Sequence, residues 1–221
     1  MGHTPLGNKL FSSQEEKNQL EARNVILQYD YVVRLIEQSG TRFSLTIPII
    51  LELHRLAIHD IYTCAGSFRT VPVQITNSTH QPPPHEEVPR LVEQMCTYVD
   101  MNWHRSPVHL AAYLMWRHNW IHPFCGGNGR TSRAVSYLVL CTKLGFVLPG
   151  SPTIPQQIVT RRDLYYAALR ASDDALARTG SPDVRALEQM LSDMLANQLL
   201  SIHRQAVLDS PAQTSRSRPS S

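Results

Sequence analysis

The chain has 221 residues, a formal net charge of +3 and 42% hydrophobic residues. Its length suits one domain with its own core, and the charges are scattered without the basic runs of a nucleic-acid groove. No apolar run reaches the roughly 18 residues that cross a membrane. The four cysteines lack the spacing of a disulfide or zinc motif, which predicts free thiols in a cytoplasmic protein. They are Cys64, Cys96, Cys125 and Cys141.

Most of the predicted elements are helices. A capping box at residues 13–16 opens a helix that runs to about residue 39. Ser44 starts a second helix that ends at Ala65-Gly66, with Pro48 in its first turns, where a missing amide costs little. The apolar pattern predicts five more helices, at residues 84–103, 107–121, 128–144, 154–179 and 182–206.

One segment between the second and third helices favours extended structure. Residues 70–76 predict a strand, Asn77-Ser78 a turn and residues 79–84 a returning strand. The predicted fold class is therefore all-α with one small β-hairpin flap. The predicted organisation is a flexible N-terminus (1–12), one domain (13–207) and a disordered tail (208–221) that lacks large apolar residues after Asp209.

The stretch from Trp120 to Arg133 carries the chemistry. It reads Trp-Ile-His-Pro-Phe-Cys-Gly-Gly-Asn-Gly-Arg-Thr-Ser-Arg, an apolar helix that ends near a proline, a glycine-rich loop and a new helix. Such a loop leaves backbone amides free at a helix N-terminus, which is typical of anion sites. Arg130 and Arg133 project from one face of the new helix, and two guanidinium groups there suit a polyphosphate.

Two further side chains complete a site for transfer to a hydroxyl. His122 is close enough to the loop to take a proton from the hydroxyl, and Asn128 offers an amide for charge that develops on phosphorus. Singly, each residue has an ordinary structural explanation; their combination within twelve residues favours a phosphate site. The loop is not a Walker A motif, because Arg130 stands where lysine is required. His118 and His122 have zinc spacing, but Asn119 replaces the glutamate of a zincin motif.

This stretch resembles the signature of the Fic (filamentation induced by cAMP) family, His-x-Phe-x-(Asp/Glu)-Gly-Asn-Gly-Arg-x-x-Arg. Seven of its eight fixed positions match in order and spacing: His122, Phe124, Gly127, Asn128, Gly129, Arg130 and Arg133. Leu53-His54, residues 66–69 and residues 162–166 also resemble family features, and the likeness covers roughly residues 20 to 200.

The resemblance implies an all-α Fic domain that transfers AMP from Mg-ATP to a Ser, Thr or Tyr hydroxyl of a target protein. By position, His122 is the general base and Phe124 anchors the loop. The resemblance assigns the anion hole to Gly127, Asn128 and Gly129, and the β- and γ-phosphates to Arg130 and Arg133. It places the target-docking flap at Val73, Gln74, Ile75 and Thr76.

Gly126 is the one departure, because the family carries Asp or Glu there to hold magnesium. Mg²⁺ also binds through phosphates and water, so a weakly held ion is expected. Three outcomes stay open: slower transfer, a nucleotide donor other than ATP, or a nucleotide-binding interaction module without chemistry. We expect retained transfer, because the base and both arginines are present.

Regulation within the chain is not expected. The family's inhibitory motif, Ser/Thr-x-x-x-Glu-Gly/Asn, has its nearest match at residues 12–17, where Lys17 occupies the last position and a plain capping box is the favoured interpretation. A separate inhibitory partner or a homo-oligomer is the expected source of control. Tyr165 and Tyr166 are both candidates to approach a nucleobase, and one of them is expected in the core.

Overall fold

Helices make up the regular structure of the part of the chain that is described. The computed structural model describes residues 7–39, 43–76 and 78–209, and it describes no side chains beyond Gln205. Within these ranges the helices are α1 (Gln14–Gln38), α2 (Ile47–Ala57), α3 (Val88–Met101), α4 (Pro107–Ile121), α5 (Asn128–Leu144), α6 (Ile154–Thr160), α7 (Arg162–Thr179) and α8 (Arg185–Asp209), with a 3₁₀ turn at His85–Glu87 before α3. The predicted all-α class is confirmed.

The helix α4 is the centre of the fold. It packs against α3, α5, α7 and α8, and apolar side chains cover most of its circumference, as expected of a helix with no solvent face. Helices α1 and α2 pack on each other and on α5. The two helices that flank the glycine-rich loop, α4 and α5, are thus held by the core on several sides.

The helix ends follow local capping rules. Ser13 caps α1 by accepting a hydrogen bond from the Glu16 amide, while the Glu16 carboxylate accepts from the amide of Ser12 at 2.7 Å. The Glu16 carboxylate thus binds the amide one residue before the N-cap, whereas in the predicted capping box it binds the amide of the N-cap itself. Ser106 caps α4 in the same way, through the His109 amide, and Pro107 follows in the first turn.

Two predicted helix bounds are wrong. The helix α2 ends at Ala57, eight residues before the predicted end, and the chain then turns through Asp60, whose φ is 59°. The predicted helix 154–179 is interrupted at Arg161, whose φ of −120° and ψ of 45° are not helical.

The β-hairpin predicted over residues 70–84 is not formed in the part of this segment that is described. Residues 70–76 and 78–84 are extended or bent without strand pairing, and Asn77 lies outside the described residues. The segment holds four prolines, and each removes a backbone donor that a ladder needs: Pro72, Pro82, Pro83 and Pro84. We call residues 70–84 the flap segment.

The described part of the N-terminus is attached to the domain. Lys9 and Tyr62 form an antiparallel bridge, and the Leu10 amide donates to the Ile61 carbonyl at 3.1 Å. Residues 1–6 and 210–221, which include most of the predicted tail, lie outside the described residues. Among the described helices, none is both long and apolar enough to span a bilayer.

Candidate active site

The loop between α4 and α5 has two residues with left-handed backbone. His122 ends α4 with φ 50° and ψ 60°, and its amide donates to the His118 carbonyl at 2.9 Å. Positive φ is uncommon for residues other than glycine, and the surrounding fold must hold it in place. Gly127 has φ 74°, and a Cβ there would lie 2.7 Å from Cγ2 of Ile58, so only glycine fits.

The core and the loop itself both fix this conformation. Phe124 is fully buried and stacks on His54, with ring centroids 3.6 Å apart. The Asn128 side chain accepts from the Phe124 amide at 3.0 Å and donates to the Phe124 carbonyl at 2.8 Å. Asn128 is buried, so the contacts in the structure give it a positioning role; its role as a donor to developing charge stays a prediction.

The N-terminus of α5 presents three open amides. Among the hydrogen bonds of the described residues, none is donated by the backbone amides of Gly127, Asn128 or Gly129. The helix has 17 residues, and its aligned peptide dipoles add positive potential at this end. Open amides at a helix N-terminus are typical of anion sites, and the anion hole at Gly127, Asn128 and Gly129, which we call the cradle, stays a prediction.

His122 lines a cavity of about 330 Å³. Burial lowers the pKa of His122 to about 4, against the opposing effect of a contact from Nδ1 to the Asn119 carbonyl at 3.4 Å. Because a carbonyl only accepts, this contact places the hydrogen on Nδ1 and the lone pair on Nε2. The imidazole is therefore neutral near pH 7, as a general base must be.

The two motif arginines differ in their surroundings. Nη1 of Arg130 donates to the Ala57 carbonyl at 2.9 Å, and its Nη2 lies 3.5 Å from the Glu21 carboxylate. Arg133 makes no hydrogen bond or ion pair within the described residues, and its Nη1 lies 3.3 Å from where a Cβ on Gly129 would stand. Burial lowers the pKa of both guanidinium groups, which stay charged. Arg133 is thus the guanidinium free to bind an anion over the first turn of α5.

We expect Arg133→Ala to weaken ATP binding by about 10- to 100-fold and AMP binding much less, because the β- and γ-phosphates lose a charge-assisted partner. Arg130→Ala gives the same order of effects, with an added loss of thermal stability from the Ala57 and Glu21 contacts. Calorimetry with both nucleotides measures this. Arg90→Ala, at an exposed ion pair on α3, is the control and leaves both affinities unchanged. Equal losses for ATP and AMP would make the arginines structural.

Sequence reasoning missed the role of Arg69, which is buried and bonds to backbone on both sides of the site. Its Nε donates to the His122 carbonyl at 2.8 Å and its Nη2 to the Ile121 carbonyl at 3.3 Å, so a cation neutralises the C-terminal end of α4. The same guanidinium donates to the carbonyls of Val71 and Pro83 in the flap segment. Only its place in the stretch 66–69, which resembles the family, pointed to it.

The flap segment borders the His122 cavity. Of the four residues predicted to dock a target, Ile75 and Thr76 line the cavity, Val73 is buried against the core and Gln74 is exposed. The opposite wall comes from α4 and α7, where Trp116 donates from Nε1 to Asp173 at 2.8 Å.

The two neighbouring tyrosines of α7 have different environments. Tyr165 is buried and its hydroxyl accepts from Asn119 at 2.8 Å, whereas Tyr166 is half exposed and lines the cavity. Tyr166 is therefore the one of the two that is open to a cavity, and its approach to a nucleobase stays a prediction.

The loop offers no side-chain ligand for magnesium. Gly126 has no donor atom, and the described residues contain no cluster of three or more His, Cys, Asp or Glu side chains that could hold a metal ion. His118, which has zinc spacing with His122, is fully buried with both ring nitrogens unpartnered among the described residues. The described side chains therefore do not form a metal site by themselves.

The described residues form an all-helical domain whose glycine-rich loop and following helix carry open amides, a neutral histidine and an arginine without a partner among those residues. Residues 44–140 match the family model described as the Fic/DOC family. The predicted resemblance is confirmed over these residues, which form a Fic/DOC family domain.

Relatives of named activity are distant and longer. The chain is 28% identical over 200 residues to "Protein adenylyltransferase Fic" of Drosophila persimilis, an alignment that covers 88% of this chain and 36% of that protein. The relative of the same name from Drosophila yakuba is also 28% identical, over 201 residues and 37% of its length. The chain thus spans about a third of the length of these curated relatives.

Solved structures share the fold. A Fic domain-containing signaling protein of Bacteroides thetaiotaomicron superposes with a TM-score of 0.73 at 20% identity, over 90% of this chain and 77% of that one. Fic-1 of C. elegans gives a TM-score of 0.66 at 24% identity, over 90% of this chain and 54% of that one.

Proposed function

We propose that this domain is a protein adenylyltransferase, which transfers AMP from ATP to a Ser, Thr or Tyr hydroxyl of a target protein. The observation that carries the proposal is that one short loop-helix unit holds a neutral His122, the open amides of Gly127, Asn128 and Gly129, and Arg133, which has no partner among the described residues. The relatives named adenylyltransferases support AMP as the transferred group.

The chemistry follows from the placement of these groups. The target hydroxyl oxygen attacks the α-phosphorus of ATP while its proton passes to Nε2 of His122. The bond from that phosphorus to the bridging oxygen breaks, and pyrophosphate leaves. The amides of Gly127, Asn128 and Gly129 stabilise the negative charge of the phosphates, and Arg133 binds the outer phosphates that become the leaving group.

Labelled nucleotides test the proposal and its alternatives. We expect incubation with magnesium and ATP labelled on the α-phosphate to label the chain itself or a protein of a cell lysate, and ATP labelled only on the γ-phosphate to add no label beyond that of lysate without the protein, where kinases transfer the γ-phosphate. Labelling from UTP, GTP or a phosphocholine nucleotide instead would indicate another donor. Binding without labelling from any donor would support the interaction module that the departure at Gly126 leaves open.

We expect Gly126→Asp to lower the magnesium concentration at which transfer saturates and to raise the rate, because it adds one hard oxygen ligand. Gly126 is not among the described glycines with positive φ, so a side chain fits its backbone. A magnesium titration of self-modification measures the effect. Gly126→Asn, similar in size but uncharged, is the control and shifts the titration less; unchanged metal dependence in Gly126→Asp would contradict the account.

A further inference from the structure

His54 is fully buried, and both of its ring nitrogens are used. The amide of Gly66 donates to Nδ1 at 3.1 Å. Nδ1 therefore carries the lone pair, and the hydrogen of the neutral ring lies on Nε2. Nε2 lies 3.0 Å from the Gly126 carbonyl and donates to it. His54, on α2, is thus hydrogen-bonded to the backbone of a loop that lies 72 positions later in the sequence.

This contact fixes the orientation of one peptide group. In a trans peptide the carbonyl of one residue and the amide of the next point in opposite directions. The Gly126 carbonyl points toward the buried His54, so the Gly127 amide points away from it, out of the core. That amide is one of the three open donors of the cradle.

Among the described residues, the Gly126 carbonyl and the Gly127 amide make no hydrogen bond other than the one from His54. Neither residue has a Cβ, and glycine populates both signs of φ readily, so the backbone dihedrals alone do not fix the orientation of this peptide plane. A rotated plane would present the Gly126 carbonyl oxygen to the phosphates in place of a donor. The chain carries this glycine pair because Gly126 replaces the family's acidic residue.

We infer that His54 is a positioning residue that holds the Gly126–Gly127 peptide with its amide facing the phosphates of the nucleotide. The inference rests on the proposed function, in that the ligand of the cradle is a nucleotide polyphosphate. His54 acts through the loop backbone and touches no reacting atom.

Two substitutions separate hydrogen bonding from packing. His54→Phe keeps an aromatic ring against Phe124 and removes both hydrogen bonds. His54→Gln loses the ring, but its side-chain amide reaches about as far as Nε2 and donates to the Gly126 carbonyl. We expect His54→Phe to weaken binding of ATP and pyrophosphate by about 10-fold, as for one lost charge-assisted bond, and His54→Gln to weaken it less. Adenosine, which lacks phosphates, binds all three proteins equally.

The order of the two variants in affinity for ATP and pyrophosphate separates a hydrogen-bonding role from a packing role. Calorimetry measures these affinities, on variants that still show cooperative thermal unfolding. A packing role predicts the reverse order, with His54→Gln the weaker binder, and that result or equal binding would overturn the inference while leaving the proposed function intact. If the wild type binds neither ATP nor pyrophosphate, the proposed function fails and this inference fails with it.

A second measurement needs no variant. In wild-type protein labelled with ¹⁵N-glycine, we expect pyrophosphate to move the amide proton resonance of Gly127 downfield, because that N–H donates to a phosphate oxygen. Gly145, at the far end of α5, serves as the reference and keeps its resonance. A Gly127 resonance that stays in place at saturating pyrophosphate would overturn the inference.

Discussion

His122→Ala is expected to lower AMP transfer by at least about 100-fold while nucleotide still binds. Loss of a positioned general base costs about this much, and the cradle amides and Arg133, which hold the phosphates, remain. Transfer from labelled ATP gives the rate, and calorimetry gives the affinity. His104→Ala, an exposed residue between α3 and α4, is the control and keeps both values at wild-type levels.

The pH profile of the wild type gives an independent check on the same residue. Burial lowers the pKa of His122 to about 4, so the base is already unprotonated at pH 6. The transfer rate should therefore change little between pH 8 and pH 6. A twofold loss near pH 6.5 would indicate a histidine that titrates as in water, and it would contradict the buried environment.

The second large effect is loss of stability in mild acid. Burial lowers the pKa of three neighbouring histidines, His54 and His122 to about 4 and His118 to about 3. Each stays neutral in the folded protein but takes up a proton in the unfolded chain below about pH 6.5. The three neutral, buried rings therefore do not oppose folding above pH 6.5. As the pH falls from 6.5 toward the pKa values of the folded protein, protons bind the unfolded chain more than the folded one, and the free energy of unfolding decreases.

The free energy of unfolding should fall by about 4 kcal/mol between pH 6.5 and pH 5, since each histidine adds up to about 1.4 kcal/mol per pH unit. That is a large share of the roughly 5–15 kcal/mol typical of a domain. Urea unfolding at the two pH values measures it. His118→Leu removes one of the three protons and a ring whose nitrogens have no partner among the described residues, so the protein should gain stability at pH 7 and lose less in acid. A free energy of unfolding that stays constant between pH 6.5 and pH 5 would contradict burial of the three histidines in their neutral form.

The helices that were predicted best are those whose ends have local chemical signals. The bounds of α4 and α5 match the prediction, because Pro107 starts one and Asn128 after the glycines starts the other. The helix α2 was predicted too long because Ile58 and Ile61 are buried at helical spacing although the chain there is not helical. Apolar spacing reports burial, and it does not by itself report backbone geometry.

The site shows a similar division between local and distant information. The loop, His122 and Arg133 lie within twelve residues, so spacing and residue type are enough to single them out as candidates. His54 and Arg69 act on the same loop from 72 and 53 positions away. No sequence period encodes such contacts; they exist only once the fold brings these distant segments to the loop. The flap was predicted from β-propensity, which depends on a partner strand that the described residues do not supply.

The guanidinium of Arg69 has a thermodynamic consequence. One buried cation is shared between the backbone of the flap segment and the carbonyl of His122, so neither can move without altering the hydrogen bonds of the other. Under the proposed function, a target that fixes the flap segment in one conformation also favours one arrangement of the loop that binds the nucleotide. By reciprocity of linked equilibria, the factor by which target raises nucleotide affinity then equals the factor by which nucleotide raises target affinity. Arg69 would thus link target docking and nucleotide binding through a single coupling free energy.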